Sequence, residues 1–152
     1  MRITLLFTGK TDEPFIRDGI EVYAGRLSHY VPLEIKVAGN EGKKSKSRKG
    51  AARGTRLVHK SGSSLLVLLD EKGEKLSSAG FSRFIETTMI GGYKELIFYT
   101  GGAYGFTKEV YNKADRIISL SDMTFTHQMV RLILVEQIYR AMTIIRGEPY
   151  HH

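Results

Sequence analysis

From Ile117 to His152 the chain reads IISLSDMTFTHQMVRLILVEQIYRAMTIIRGEPYHH, and this stretch constrains the fold more than any other. A buried-strand run, Ile117 to Leu120, passes into a polar loop, Ser121 to Thr124. A long helix then follows, carrying apolar residues on nearly every side: Met129, Val130, Leu132, Ile133, Leu134, Val135, Ile138, Tyr139, Met142, Ile144 and Ile145. A surface helix needs only one apolar stripe. A helix that is apolar all round must be covered on two sides. In a chain of 152 residues the second cover is expected to be another copy of the same chain. The expectation is a homodimer with the Thr126 to Ile145 helix in its interface.

A chain of this length predicts one domain, spanning 1–152, with a true core. It has no cysteine, which excludes disulfides and thiolate metal sites. The apolar run at the N-terminus, Met1 to Phe7, is too short for a signal peptide. No segment approaches the ~20 apolar residues of a membrane span. No membrane contact is expected, and the expected location is cytoplasmic.

The formal charge of +7 is concentrated in one place. Lys43 to Lys60 (KKSKSRKGAARGTRLVHK) holds eight basic residues and no acid, leaving 15 bases against 16 acids elsewhere. Such a cluster suits a polyanion, RNA above all, through counterion release from phosphates. A solvated basic face that only aids solubility fits the same residues.

Elsewhere strands and helices alternate. Arg2 to Phe7 reads as a strand. Thr11 or Asp12 can cap a helix with Pro14 in its first turn. Ile16, Ile20, Tyr23, Leu27 and Tyr30 mark one face of that helix. Leu33 to Val37 is a second strand, and a helix is expected near Ala51 to Val58. Leu65 to Leu69 is a solid apolar run, typical of a parallel strand covered on both faces. Ser77 or Ser78 caps a helix whose inner face is Phe81, Phe84, Ile85 and Met89. Glu95 to Thr100 is a strand, and Thr107 opens a short helix ending at Ala114. Together these predict an α/β fold: an open parallel sheet with helices on both faces.

Ligands in such sheets sit at the carboxyl ends of strands. Three strand ends here are chemically unusual: Leu69 to Gly73, Thr100 to Phe106, and Leu120 to Phe125. Glycines at 101, 102 and 105 let the backbone approach a ligand or adopt positive φ. The third end offers amides and hydroxyls beside Met123 and Phe125, a combination able to clasp a flat heteroaromatic ring. The glycines also fit a simple turn into the next helix.

Common motifs are missing. Asn40 to Ser45 lacks the glycine spacing of a phosphate loop, and the glycines after Thr100 do not follow the dinucleotide fingerprint. No serine sits in a nucleophile elbow. The histidines at 29, 59, 127, 151 and 152 show no metal-ligand spacing, so no metal is expected. His127 opens the last helix, where capping is its simplest role.

The chain resembles the RlmH-type branch of the SPOUT class of trefoil-knotted RNA methyltransferases over essentially its whole length. The resemblance rests on LLDEKGE (Leu68 to Glu74), the turn at Gly101 and Gly102, the LSDMTFTHQMVRLILVEQIYRA block from Leu120, and the terminal GEPYHH from Gly147. Three features depart from it. Ala103 stands where many members have Pro or Ser. The basic segment is unusually dense. His152 stands where members often carry Arg or Lys, making that charge pH-dependent.

The resemblance implies a SPOUT-type α/β trefoil knot in the C-terminal half, a homodimer, and S-adenosyl-L-methionine as cofactor. It implies methylation at N3 of a pseudouridine in large-subunit (23S) ribosomal RNA, free or in the assembled ribosome. DNA is not an expected partner. By the same resemblance the cofactor contacts are Leu69, Gly101, Leu120, Ser121, Asp122, Met123, Thr124 and Phe125. The candidate RNA contacts are Lys43, Lys44, Lys46, Arg48, Lys49, Arg53 and Arg131. Arg131 and Arg140 are also placed to bind phosphate or to pair with Glu136, which precedes Arg140 by one helical turn. Methyl transfer to N3 needs its proton removed. The tail residues Tyr150, His151 and His152 are the candidates for that role, with His151 foremost; a frayed chain end is the bland alternative. A reading from another class is a non-catalytic ribosome- or RNA-binding α/β protein. Such a protein would not need the Gly101-Gly102 turn together with the Ser121 to Phe125 loop. A flavodoxin-like nucleotide-binding domain is a third reading, without a phosphate loop to support it.

Overall fold

The computed structural model describes residues 1–38 and 62–150. In chain order the elements are β1 (Arg2–Thr8), α1 (Pro14–Leu27), β2 (Leu33–Ala38), β3 (Ser64–Lys75), α2 (Ser78–Ile90), β4 (Glu95–Thr100), α3 (Lys108–Lys113), β5 (Arg116–Ser119) and α4 (His127–Ile145). The helix expected near Ala51 to Val58 lies outside the described residues. The strands form one sheet in the order β2-β1-β4-β3-β5, and every pairing is parallel.

Each central strand alternates its side chains between two apolar layers. Ile3, Leu5, Phe7, Val67, Leu69, Leu96, Phe98 and Ile118 face α1, α2 and α4. Leu6, Leu66, Leu68, Ile97 and Tyr99 face the opposite way, under α3. The unbroken apolar run of β3 follows from this double burial. Helices therefore cover both faces, three on one and a single short helix on the other among the described residues.

Local chemistry sets the element ends. Ser77 caps α2 by accepting the Gly80 amide, and Thr107 caps α3 by accepting the Val110 amide. The start of α1 differs from expectation. Its N-cap is Glu13, whose side chain makes no cap bond. The amides of Asp12 and Glu13 donate instead to Gln128 Oε1 on α4, each at 3.0 Å. β3 also runs further than its apolar core suggests. Past a bulge, both Leu69 and Glu74 pair with Ile118. Gly73 makes this possible, because a Cβ there would stand 2.6 Å from the Ile118 backbone.

Part of the cover of α4 comes from its own chain. Every residue from 128 to 145 is at least partly covered within one chain. α1 and α2 flank the helix. Leu132 lies against Gly19, where a Cβ would meet its Cδ1 at 2.8 Å. Ser78 Oγ donates to Gln137 Oε1 at 2.8 Å, and Ser82 Oγ to the Ala141 carbonyl at 3.2 Å. Met129, Val130, Leu132, Ile133, Tyr139, Ile144 and Ile145 stay partly exposed within one chain. No helix among the described residues is long and apolar enough to cross a membrane.

Candidate active site

The bulge that ends the apolar run of β3 and the carboxyl ends of β4 and β5 converge on a cavity of about 520 Å³. Leu69, Asp70 and Glu71 enter from β3, and Thr100 to Ala103, Gly105 and Phe106 from β4. Ile118 to Ser121 and Met123 to Thr126 enter from β5, and His127 and Val130 close the cavity from the start of α4. The volume lies in the range of small-molecule and cofactor sites.

Each wall is held by its own contacts. On the β3 side, Asp70 accepts the Lys72 amide at 2.9 Å and the Tyr111 hydroxyl at 2.5 Å. Burial, then the Asp70 carboxylate, push the Tyr111 hydroxyl up to about 12, so it stays a donor at neutral pH. On the β4 side, Gly105 has φ +71° and its amide donates to the Gly102 carbonyl at 3.1 Å, closing a tight turn. Phe106 roots that turn edge-on against Tyr99 and Tyr111, at 5.0 and 5.7 Å. Gly101 sits so close that an added Cβ would meet Phe106 Cζ at 3.3 Å and Gly105 at 3.4 Å. On the β5 side, Ser119 Oγ donates to the Ser121 carbonyl, and Ser121 Oγ accepts the Met123 amide. Thr126 caps α4 by accepting the Met129 amide.

Of the residues expected to hold a cofactor, Leu69, Gly101, Leu120, Ser121, Met123, Thr124 and Phe125 line this cavity. Asp122 does not; its carboxylate turns outward to an ion pair with Lys75. Asp70, Glu71, Thr100, Phe106 and His127 line it as well. Of these, His127 was legible as a cap and not as a wall; the cap is in fact Thr126, which leaves His127 in the first turn.

The candidates for RNA and catalysis fare differently. Lys43, Lys44, Lys46, Arg48, Lys49, Arg53, His151 and His152 lie outside the described residues. Arg131 belongs to the interior, with 0% of its surface exposed. Its guanidinium donates to the Thr8 carbonyl at 2.6 Å and Thr11 Oγ1 at 2.8 Å, and stacks on Phe7. A group so enclosed reaches no phosphate, so Arg131 is a tie between α4 and the β1–α1 loop and not an RNA contact. Burial lowers its pKa, with Asp12 acting the other way. Arg140 makes the expected one-turn pair with Glu136, at 2.8 Å.

Tyr150 is not part of its own chain's cavity wall. It folds back on α4, edge-on to Tyr139 at 4.8 Å, under the Arg140 guanidinium, with its hydroxyl donating to Glu136 at 3.1 Å. Tyr23, burial and Glu136 raise the Tyr150 pKa, which makes it unsuitable as a base near neutrality.

Parallel strands whose ends share one cavity, closed by a helix start, define an α/β protein that works at the carboxyl edge of its sheet. A family model described as "Predicted SPOUT methyltransferase" matches residues 1–151. The chain belongs to the SPOUT methyltransferase family, whose class of fold is the α/β trefoil knot. It is 48% identical to the ribosomal RNA large subunit methyltransferase H of Geotalea daltonii, with both chains covered in full. It is 45% identical to the protein of that name from Christiangramia forsetii, covering 100% of this chain and 99% of the relative. Among solved structures it resembles "a probable methylase family protein" from Haemophilus influenzae Rd KW20. That match has a TM-score of 0.54 and 12% identity, covers 99% of this chain and 70% of the other, and concerns the fold alone.

Proposed function

We propose that the chain methylates large-subunit ribosomal RNA, using S-adenosyl-L-methionine, at N3 of a pseudouridine. The observation that carries this reading is the cavity shared by the three strand ends, set in a SPOUT methyltransferase chain whose full-length relatives bear the ribosomal RNA name. The lining suits the cofactor. Leu69, Leu120, Met123, Phe125 and Val130 offer apolar walls for a flat ring, and Asp70 and Glu71 offer carboxylates to a cation. When bound, S-adenosyl-L-methionine supplies a methyl group already activated on a sulfonium.

The chain's own tasks are therefore alignment, exclusion of water and removal of the N3 proton. His151 is assigned the proton, with His152 beside it; both follow Tyr150, which is anchored away from its own chain's cavity. The tail then serves the cavity of a second copy, and the active unit is a homodimer. Exposed Phe15 and Val22, two turns apart on α1 beside α4, support such an interface. Lys43, Lys44, Lys46, Arg48, Lys49 and Arg53 are assigned to RNA phosphates.

The test is transfer of labelled methyl from S-adenosyl-L-methionine to ribosomes lacking the mark, with mass mapping of the product. A labelled N3-methylpseudouridine in the large subunit is expected. Absence of transfer to ribosomes and to free rRNA alike would overturn the assignment.

A further inference from the structure

Tyr104 is the most exposed aromatic among the described residues, at 85%, and it stands at the edge of the cavity. Its neighbours Ala103 and Gly105 both line the cavity, while its own ring does not. The turn that carries it is rigid at the root. Gly102 and Gly105 bridge one another, Gly102 rests on Thr8, and Phe106 is wedged between Tyr99 and Tyr111. A loose loop would fold such a ring against the body and recover its apolar burial. This turn instead holds the ring out in solvent.

Two more large apolar side chains mark the same opening. Met123 is 75% exposed and Phe125 39%, and both line the cavity. Their common feature is position at a mouth. The described aromatic rings that pack in pairs lie in the core or at the far end of α4, and none of those pairs includes Tyr104.

We propose that Tyr104 is a stacking platform for an unpaired nucleobase of the RNA substrate as it enters the cavity. A protruding ring on a preformed turn matches one flat partner without paying to order a loop. Stacking reads a π-face and not a base edge, so it grips an unpaired segment without specifying its sequence. A protein partner would call for a broad contiguous patch, whereas these three side chains form a narrow rim. The proposal rests on the RNA methyltransferase reading.

The experiment compares wild type with Tyr104→Ala, Tyr104→Leu and Tyr104→Phe. Four readouts are taken: filter binding of unmodified large-subunit rRNA, methyl transfer, calorimetric affinity for S-adenosylhomocysteine, and sedimentation. Tyr104→Ala and Tyr104→Leu are expected to weaken RNA binding and raise KM by ~5–150-fold, the range for one lost base stack. Tyr104→Phe should keep wild-type RNA affinity, because the ring and not the hydroxyl stacks. Affinity for S-adenosylhomocysteine and the sedimentation coefficient should not move. Equal RNA binding by Tyr104→Ala and wild type overturns the platform. Loss of S-adenosylhomocysteine affinity would make the turn a cofactor wall instead, and a changed sedimentation coefficient would make it an interface between copies; either result also overturns the proposal. A wild type that binds RNA but transfers no methyl sinks the enzymatic reading, and the RNA-binding comparison still judges Tyr104.

Discussion

The two ends of α4 differ in how fully their side chains are used. At the C-terminal end Tyr139 touches the rings of Tyr23, Tyr30 and Tyr150, at 5.8, 5.8 and 4.8 Å. Arg26, Arg140 and Arg146 lie over those rings, and Glu136 and Glu148 accept tyrosine hydroxyls. At the N-terminal end Met123 and Phe125 are exposed and the cavity opens between strand ends. One end is a closed network that fixes where the chain's tail begins. The other retains unused surface, as a site that must exchange ligands requires. The same helix thus supports both a ligand cavity and an anchored tail, at opposite ends.

The largest effect is expected from the tail. His151→Ala should lower turnover by ~10²–10⁴-fold, the range for a lost general base. Raised pH should restore part of the rate by ionising N3 in solution. Deleting Tyr150 to His152 should lower turnover at least as far, but it also removes Tyr150 from its contacts with Tyr139, Arg140 and Glu136. The point variant is therefore the cleaner probe. Single-turnover methylation with saturating cofactor reads the effect, and normal turnover in the truncated enzyme would rule out a chemical role for the tail. Loss of cofactor binding would recast the tail as a lid.

Next comes the cavity end. Gly101→Val adds methyl groups where a Cβ alone would already press Phe106 and Gly105 at 3.3 and 3.4 Å. Overpacking of this kind costs about 1–3 kcal/mol. The backbone at Gly101 does not need positive φ, so the fold should survive while affinity for S-adenosylhomocysteine falls by ~5–150-fold. Calorimetry on the folded variant decides, and unchanged affinity would remove Gly101 from the site.

These two ends were unequally legible in the sequence. The strand ends could be read because parallel strands announce themselves as apolar runs and their loops carry glycines; Leu69, Gly101 and the Leu120 to Phe125 loop follow from that pattern and from the resemblance. The Asp122 carboxylate turns outward to Lys75, a direction that loop sequence, having no periodicity, does not encode. Arg131 was misread for a related reason. A charged side chain on a helix suggests solvent or a phosphate, and only the fold reveals that the Thr8 carbonyl waits beside it. The cover of α4 required knowing that α1 and α2 flank it, a matter of topology that local pattern does not encode. Gln128 capping α1 from 115 residues away is likewise invisible before folding.

A smaller effect should come from Arg131→Met. The substitution keeps apolar bulk beside Phe7 but leaves the Thr8 carbonyl and Thr11 without their donor. An unsatisfied buried acceptor costs about 1–3 kcal/mol, offset in part because the buried cation, whose Nε has no partner among the described residues, is also removed. Urea denaturation should show a loss within that range. Affinity for rRNA should not change once the variant is folded. A drop in RNA affinity and salt dependence, with stability intact, would return Arg131 to the RNA-binding set.

The smallest effect is expected in the tail network, at Tyr30. Its hydroxyl donates to Glu148, and that bond, with burial and the charge of Glu148, pushes the Tyr30 pKa from its ordinary 10.0 up to about 12. The folded state holds the proton more tightly than the unfolded state, so the contribution is complete below pH 10 and is lost as pH rises from 10 through 12. Tyr30→Phe keeps the edge contact with Tyr139 and the Arg146 guanidinium over the ring, and removes only the hydroxyl. At pH 8 the variant should therefore be less stable than wild type, by less than the Arg131 step. The difference between the two should shrink across the 10 to 12 window, measured as the gap between their denaturation midpoints at each pH. Other tyrosines titrate in both proteins and drop out of that gap. A gap that stays constant across the window would mean that Tyr30 contributes through packing, and that Glu148 is held by something other than its hydroxyl.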